Sequence, residues 1–444
     1  MTRHVLLAAI ALAALAAPGL AQDRRGITWD NRPSIVFGED LSIDLRGRVQ
    51  LDGRRFDPDI GEEEFDVRTV RVGVSGELTR HFDWEIEREI DELYDEGVTE
   101  DQIDLGTVEP RWRFGEWKDV FLNWSTFDAV RVKGGRFKMP FGLEQTTSVS
   151  DLDFAYRALG SVKIAPGRDR GVMVYGDLLG GSLLYEAGMF DDDGDNGELE
   201  EPRFVVEGED LEGLGPSFAG RIVAELFRRL PVHDRLKGAE FGVAYTQAKV
   251  PEGLNSIRGE DVWGYDFFEP VYVKGVRRRL GLQFDWSPGP TGFRAEWMRS
   301  REERLGQSNR NEDLSDFIGT AWYTSATWLL TGEDKDSDVT PNQPLFQGGL
   351  GAVEIGARYD VLSFKSANTE GFAFRNPRAD HQLPNAVRTL TVGGNWLVNR
   401  WIKVVLNGIR QSYEDVERSP AVVGAETFGP TDFWSGLLRL QIKF

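Results

Sequence analysis

The closing stretch of the chain sets the strongest limit on what it can become. Trp434, Gly436, Leu438, Leu440, Ile442 and Phe444 alternate without a break against Ser435, Leu437, Arg439, Gln441 and Lys443. A period of two marks a strand with one apolar and one polar face. The pattern recurs upstream, where Leu41, Ile43, Leu45, Gly47, Val49 and Leu51 stand against Ser42, Asp44, Arg46, Arg48 and Gln50. Val70, Val72 and Val74 mark a second segment; Phe82, Trp84 and Ile86 against Asp83, Glu85 and Glu87 mark a third. A fourth lies near 111–124, and a fifth places Val130, Val132, Gly134, Arg136 and Lys138 on one side. Others begin near Gly171, Gly181, Phe218, Glu240, Leu280, Thr291, Ile318, Gly351, Thr389 and Trp401, giving sixteen with the last. Short alternating segments between turns predict an all-β chain, a transmembrane antiparallel β-barrel of about 16 strands.

Connection lengths supply a second line. Turns at His81, Leu179-Gly180, 287–290 and Asn399-Arg400 are tight, whereas 52–64, 143–170, 249–276 and 412–432 are long. Long external loops alternating with short periplasmic turns are the habit of outer-membrane barrels, and a soluble sandwich has no reason to keep it. The 331–350 connection falls on the short side yet is long, and is expected to fold into the barrel from below. Trp124, Trp286, Trp322, Trp396, Trp401 and Trp434 at strand ends suit interfacial girdles.

The beginning reads as an export signal: Arg3 and His4, an apolar run 5–17, and Gly19-Leu20-Ala21 before Gln22. Residues 1–21 are therefore expected to be cleaved, leaving 22–444 as one barrel domain. No later run is long and apolar enough for a helical span. With no cysteine, disulfides and cysteine-based sites are excluded. Net charge is −21, but the stretches 51–65, 91–110 and 190–217 together carry −22, so the remainder is close to neutral. Acid runs of this kind are expected to be solvated loops.

One connection carries motifs. Gly135-Arg136-Phe137-Lys138-Met139-Pro140-Phe141-Gly142-Leu143-Glu144 leads a strand into Pro and Gly, which ends ladder pairing and redirects the chain. Asp151-x-x-Phe154-x-x-Arg157 and Gly167-Arg168-Asp169-Arg170-Gly171-Val172 follow. Long connections of this kind are usually functional. In order with Trp322-Tyr323, Leu330-Thr331-Gly332-Glu333, Glu354-Ile355-Gly356-Ala357-Arg358-Tyr359 and Gly394-Asn395-Trp396, these stretches resemble the phosphate-selective porin O and P family. The resemblance implies a porin-type barrel of 16 strands, usually trimeric, that passes small anions. It further implies that the third external loop bends inward and sets the narrowest point, and that the terminal Phe444 is read during assembly.

Basic side chains select anions because a desolvated ion needs charge and donors at close range, and Arg suits phosphate with its planar fork. Candidates for the anion pathway are Lys138, Arg157, Lys163, Arg168 and Arg170 around the long loop, with Arg46, Arg48, Arg221 and Arg358 on strands. The alternative for each is a salt bridge to Asp44, Glu144, Asp151, Asp153 or Glu296. Other chemistries have little support. His81, His233 and His381 lie far apart in turns and loops, so no metal centre, cofactor site or hydrolase triad is expected. The string 191–197 has the composition of a calcium loop without its spacing. Basic-aromatic patches for nucleic acid are absent. The expected partners are small anions such as phosphate, outer-membrane lipid and lipopolysaccharide, and two further copies of the chain. A general porin is the second reading, and a barrel enzyme or surface adhesin the third.

Overall fold

A computed structural model describes residues 25–29, 32–38, 40–56, 63–93, 111–194, 215–335, 338–423 and 432–444. A hairpin of β1 (Arg25–Trp29) and β2 (Pro33–Phe37) comes first. The wall then runs through β3 (Ser42–Phe56), β4 (Glu64–Leu78), β5 (Phe82–Leu93), β6 (Arg111–Phe127), β7 (Val130–Lys138) and β8 (Arg168–Leu178). It continues with β9 (Leu183–Phe190), β10 (Ser217–Glu225) and β11 (Glu240–Gly253). Two short strands, β12 (Gly259–Glu260) and β13 (Asp266–Phe268), pair only with each other inside a connection. The last seven are β14 (Val273–Trp286), β15 (Thr291–Arg304), β16 (Leu314–Leu329), β17 (Ala352–Ser366), β18 (Asn385–Leu397), β19 (Ile402–Tyr413) and β20 (Asp432–Lys443).

Leaving out the hairpin and the internal pair, sixteen strands form a closed antiparallel barrel, each at a position that alternation predicted. Closure is by β20 on β3, from Ser435 opposite Phe56 to Lys443 opposite Arg48. A bilayer core offers no water to unpaired backbone groups, so a sheet can cross it only if it has no edge. Side chains reinforce the seam: the Gln50 amide donates to Gln441 at 2.7 Å, and Arg439 grips both oxygens of Asp52 at 2.6 and 2.7 Å. Phe444 exchanges backbone hydrogen bonds with Gly47 at 3.0 Å each way, and its ring occupies the place where a Cβ at Gly47 would stand. The terminal aromatic therefore locks the first wall strand.

The faces sort as alternation requires. Trp434 and Leu438 are half exposed on the outside, while Leu437, Arg439 and Gln441 are buried within. Trp124 meets Phe127, Phe241 meets Phe284, and Trp286 stacks on Phe293 at 5.4 Å, giving an aromatic band near the short turns. Trp401, expected in such a girdle, instead lines the mouth of the lumen. The β1–β2 hairpin was not foreseen; its strands are only five residues each, too short for alternation to register.

Short connections cluster at one end, at 79–81, 128–129, 179–182, 287–290 and 398–401. By the rule for outer-membrane barrels this end is periplasmic. The expectation for 331–350 holds only at its start: Lys335 enters the barrel, where its ammonium reaches Asp153 and Glu354 at 2.5 Å each, whereas Phe346 and Leu350 further along are exposed. Opposite, the 254–272 connection dips into the lumen. Its Ile257, Phe267 and Phe268 join Phe317, Phe364, Tyr413 and Phe433 of the wall in a buried apolar cluster. The side of the barrel bounded by β16–β20 is thus filled, and open space is left along β3–β8.

Candidate functional site

The loop after β7 (139–167) builds the site. Its Gly142 has φ of 77°, a left-handed value that suits glycine and turns the chain inward just after Pro140. Two one-turn helices follow, Leu143–Thr146 and Leu159–Lys163, with a 3-10 turn Val149–Asp151 between them. Their backbone groups cannot pair within such short pieces, so the wall satisfies them. The Glu296 carboxylate accepts from the Leu143 and Glu144 amides at 2.5 and 3.0 Å. Asn407 accepts from Ala155 N at 2.9 Å, Asn395 donates to Asp153 O at 2.8 Å, and Lys403 donates to Leu152 O at 2.6 Å. These partners come from β15, β18 and β19, so the loop lies across the lumen fastened to the filled side.

The carboxylates expected as salt-bridge partners mostly serve this fastening. Glu144 takes Arg358 at 2.9 Å and accepts from Ala158 N at 2.5 Å. Asp151 takes Lys443 at 2.8 Å. Asp153 holds Lys335 and, at 3.2 Å, Arg294. Burial alone would raise the Asp153 carboxyl, but these two cations beside it hold it down to about 2. Asp44 lies apart, hydrogen-bonded to Ser34 at 2.6 Å.

On the periplasmic side of the loop is a cavity of about 570 Å³. Five of the nine predicted residues line it: Arg46, Arg48, Lys138, Arg168 and Arg221. Arg157 and Lys163 instead line a smaller cavity of about 290 Å³ toward the external end, with Arg54, Arg68, Tyr156 and Trp263. Arg358 is sealed beneath the loop between Glu144, Asp360 and the Phe154 ring. Arg170 is exposed near the external rim and pairs with Asp191 at 3.3 Å. Neither of these two lines either cavity. Lys138 shares its expected face with Val130, which is exposed outside, yet it enters the lumen because its strand ends there.

Most cavity cations already have partners. Arg46 meets Glu85, Arg168 meets Asp119 at 2.7 Å, and Arg221 meets Glu186 at 2.5 Å. Lys138 donates to the Thr146 and Thr147 carbonyls at 3.2 and 2.6 Å. Arg157 likewise holds Glu144 O and Thr147 O, at 2.9 and 2.7 Å. Both cap the loop's first helix from outside.

Two cations differ. Among the described residues, Arg48 has only Glu87 as an ion-pair partner, at 3.9 Å, and two of its buried nitrogens have no hydrogen-bond partner. Lys133 sits among aromatic rings, 4.4 Å from the Phe121 centroid, 5.5 Å from Tyr175 and 5.6 Å from Phe137. Among the described residues it has no salt bridge. Ring quadrupoles hold a cation without cancelling its charge, so Lys133 keeps a positive field in the cavity.

Sequence reasoning missed Lys133, Arg71, Arg400, Lys443 and Arg32, all on this cavity. A signal existed for two of them: Arg71 alternates with Val70 and Val72, and Lys443 stands on the polar face of the last strand.

Among the described residues, no cluster of His, Cys, Asp or Glu could hold a metal ion. The acidic stretches fall largely on 57–62, 94–110 and 195–214, outside the described residues. Two of their described acids depart from the solvated reading, one being Asp52, buried against Arg439 at the seam. The other, Asp193, is turned inward between Arg277 at 2.5 Å and Arg279 at 2.8 Å.

A family model described as phosphate-selective porin O and P matches residues 43–429, nearly the whole described barrel. The chain belongs to this family. No curated protein matches the sequence. Solved structures match this porin in fold at low identity. The outer membrane channel DcaP of Acinetobacter baumannii has 10% identity and a TM-score of 0.53, over 91% of this chain and 98% of that one. An anion-selective porin from Comamonas acidovorans has 12% identity and a TM-score of 0.51, over 91% and 100%. The trimer form of the Vibrio cholerae outer membrane protein OmpT has 9% identity and a TM-score of 0.51, again over 91% and 100%. The protein is thus an outer-membrane porin, with an open cavity between the inward loop and β3–β8.

Proposed function

We propose that this porin passes small anions, phosphate and polyphosphate foremost, along the basic side of its lumen. One observation carries the reading: in a chain of net charge −21, the main cavity is lined by ten basic and six acidic side chains. An anion leaving water needs that local excess and the donors that go with it. Arg48 and Lys133 are the residues assigned to the permeant ion; Arg46, Arg168 and Arg221 fix the wall. Ions enter past Arg157 and Lys163 and leave past Arg400 and Lys443. The chain is exported with its first 21 residues removed and works as a homotrimer, the state named for one solved structure of the same fold. Arg136 and Arg170, facing outward at the external rim, suit the anionic groups of lipopolysaccharide.

The test is the zero-current potential of refolded protein in a planar bilayer under a KCl gradient, with and without phosphate. Anion preference with block of chloride current by phosphate is expected. Weak or cation preference would instead mean that Glu85, Glu87 and Asp119 on the same wall cancel the bases, leaving a general porin. Well-folded barrels without channels would return the question to an enzyme or adhesin.

A further inference from the structure

The smaller cavity on the external side of the loop sets exposed charge beside the faces of Tyr156 and Trp263. Tyr156 and Trp263 meet edge to face at 5.3 Å, and Trp263 is fixed by Phe56 at 4.9 Å and by an indole hydrogen bond to Ser435 at 3.0 Å. The Tyr156 ring is flanked by Arg439 at 5.2 Å and Arg68 at 5.8 Å. Arg54 lies 5.8 Å from Trp263 and is occupied by Glu64 and Asp66. Lys163 is occupied by Glu260. Arg68 is exposed and, among the described residues, has no ion pair. Asp261, the one acid lining this cavity, is turned away to Tyr413 and Gln411 at 2.5 and 2.7 Å.

A bare inorganic anion would use the charge here but not the rings. We propose that this vestibule is a binding site for small organic anions bearing an aromatic ring. The anionic group pairs with Arg68, and the ring lies against Tyr156 and Trp263. Guanidinium planes and aromatic faces both favour a flat apolar partner, and such contacts strengthen where water is excluded. The cavity volume of about 290 Å³ admits a single ring with its charged group. The inference rests on the anion pathway proposed above and adds to it an outer selectivity step for a different class of solute.

Phenyl phosphate and inorganic phosphate serve as paired probes of chloride current in bilayers, each added to the external side. Phenyl phosphate should half-block at a concentration about tenfold lower. Y156L and R68Q should each remove that advantage and leave block by inorganic phosphate unchanged. Arg68 is exposed, so R68Q keeps the test available if Y156L assembles poorly. Equal potency of the two probes on a channel that still prefers anions would overturn the site and spare the pathway. An advantage that survives both substitutions would also overturn it. Absence of anion preference in the unmodified protein would show separately, in the zero-current potential, as failure of the pathway itself.

Discussion

Porin carrying both R48Q and K133M is expected to lose most of its anion preference while conducting normally. Arg48 has two buried nitrogens without partners, and Lys133 is held by rings instead of carboxylates. Their charges are therefore less closely paired than those of Arg46, Arg168 and Arg221. In a water-filled lumen, at the dielectric of bulk water, a unit charge about 4 Å from a permeant ion is worth about 1 kcal/mol, about fivefold in preference. The pair should lower the anion-to-cation permeability ratio on the order of tenfold. R136Q with R170Q, on the outer face, is the matched control and should leave the ratio unchanged. Equal effects from both pairs would mean that overall charge, not placement, sets selectivity.

E296A is expected to loosen the inward loop. Glu296 accepts the first two amides of the loop helix, and without it two buried N–H groups lose their acceptor, at about 1–3 kcal/mol each. The helix should leave the filled side, giving a conductance raised about twofold, noisier openings and weaker block by phosphate. The other end of the loop has a different sensitivity. The Asp153 carboxyl sits at about 2, below the ordinary carboxylate value, because Lys335 and Arg294 flank it against the cost of burial. A depressed value stabilises the folded form fully above about pH 4 and loses that stabilisation only as pH falls through about 2. Conductance should therefore hold steady between pH 7 and 4 as far as this anchor is concerned. In D153N, where Lys335 loses one of its two carboxylates, channel noise should rise at neutral pH. A quiet E296A channel of unchanged conductance would show that the apolar cluster alone seats the loop.

The barrel was legible in the sequence because a closed membrane sheet imposes one pattern on every strand: apolar outside, polar inside. Phe82, Trp84 and Ile86 against Asp83, Glu85 and Glu87 can be read without knowing any neighbour. The site was less legible, for two physical reasons. Alternation says that a side chain faces the lumen but not which part of it, and the loop divides that space. Arg46 and Arg358 are both lumen-facing bases in alternating strands, yet one lines open space and the other is sealed beside Glu144. Pairing across the barrel is also invisible in one dimension. Lys335 and Asp153 are 182 residues apart, and the rings around Lys133 come from three strands. The sequence does mark where the loop begins, at Met139-Pro140-Phe141-Gly142, because Pro and Gly act locally.

The central claim is that ions travel beside β3–β8 and not through the side filled by the loop and the aromatic cluster. The chain has no native cysteine, so single cysteines can report on this directly. K133C and T389C place a thiol on each side, Thr389 being fully buried on β18. Open channels would be exposed to an anionic and a cationic methanethiosulfonate reagent of similar size. The account predicts that K133C reacts quickly, faster with the anionic reagent, and that its current falls as it does, while T389C stays unmodified. Equal reaction at the two positions, or faster reaction of K133C with the cationic reagent, would contradict it.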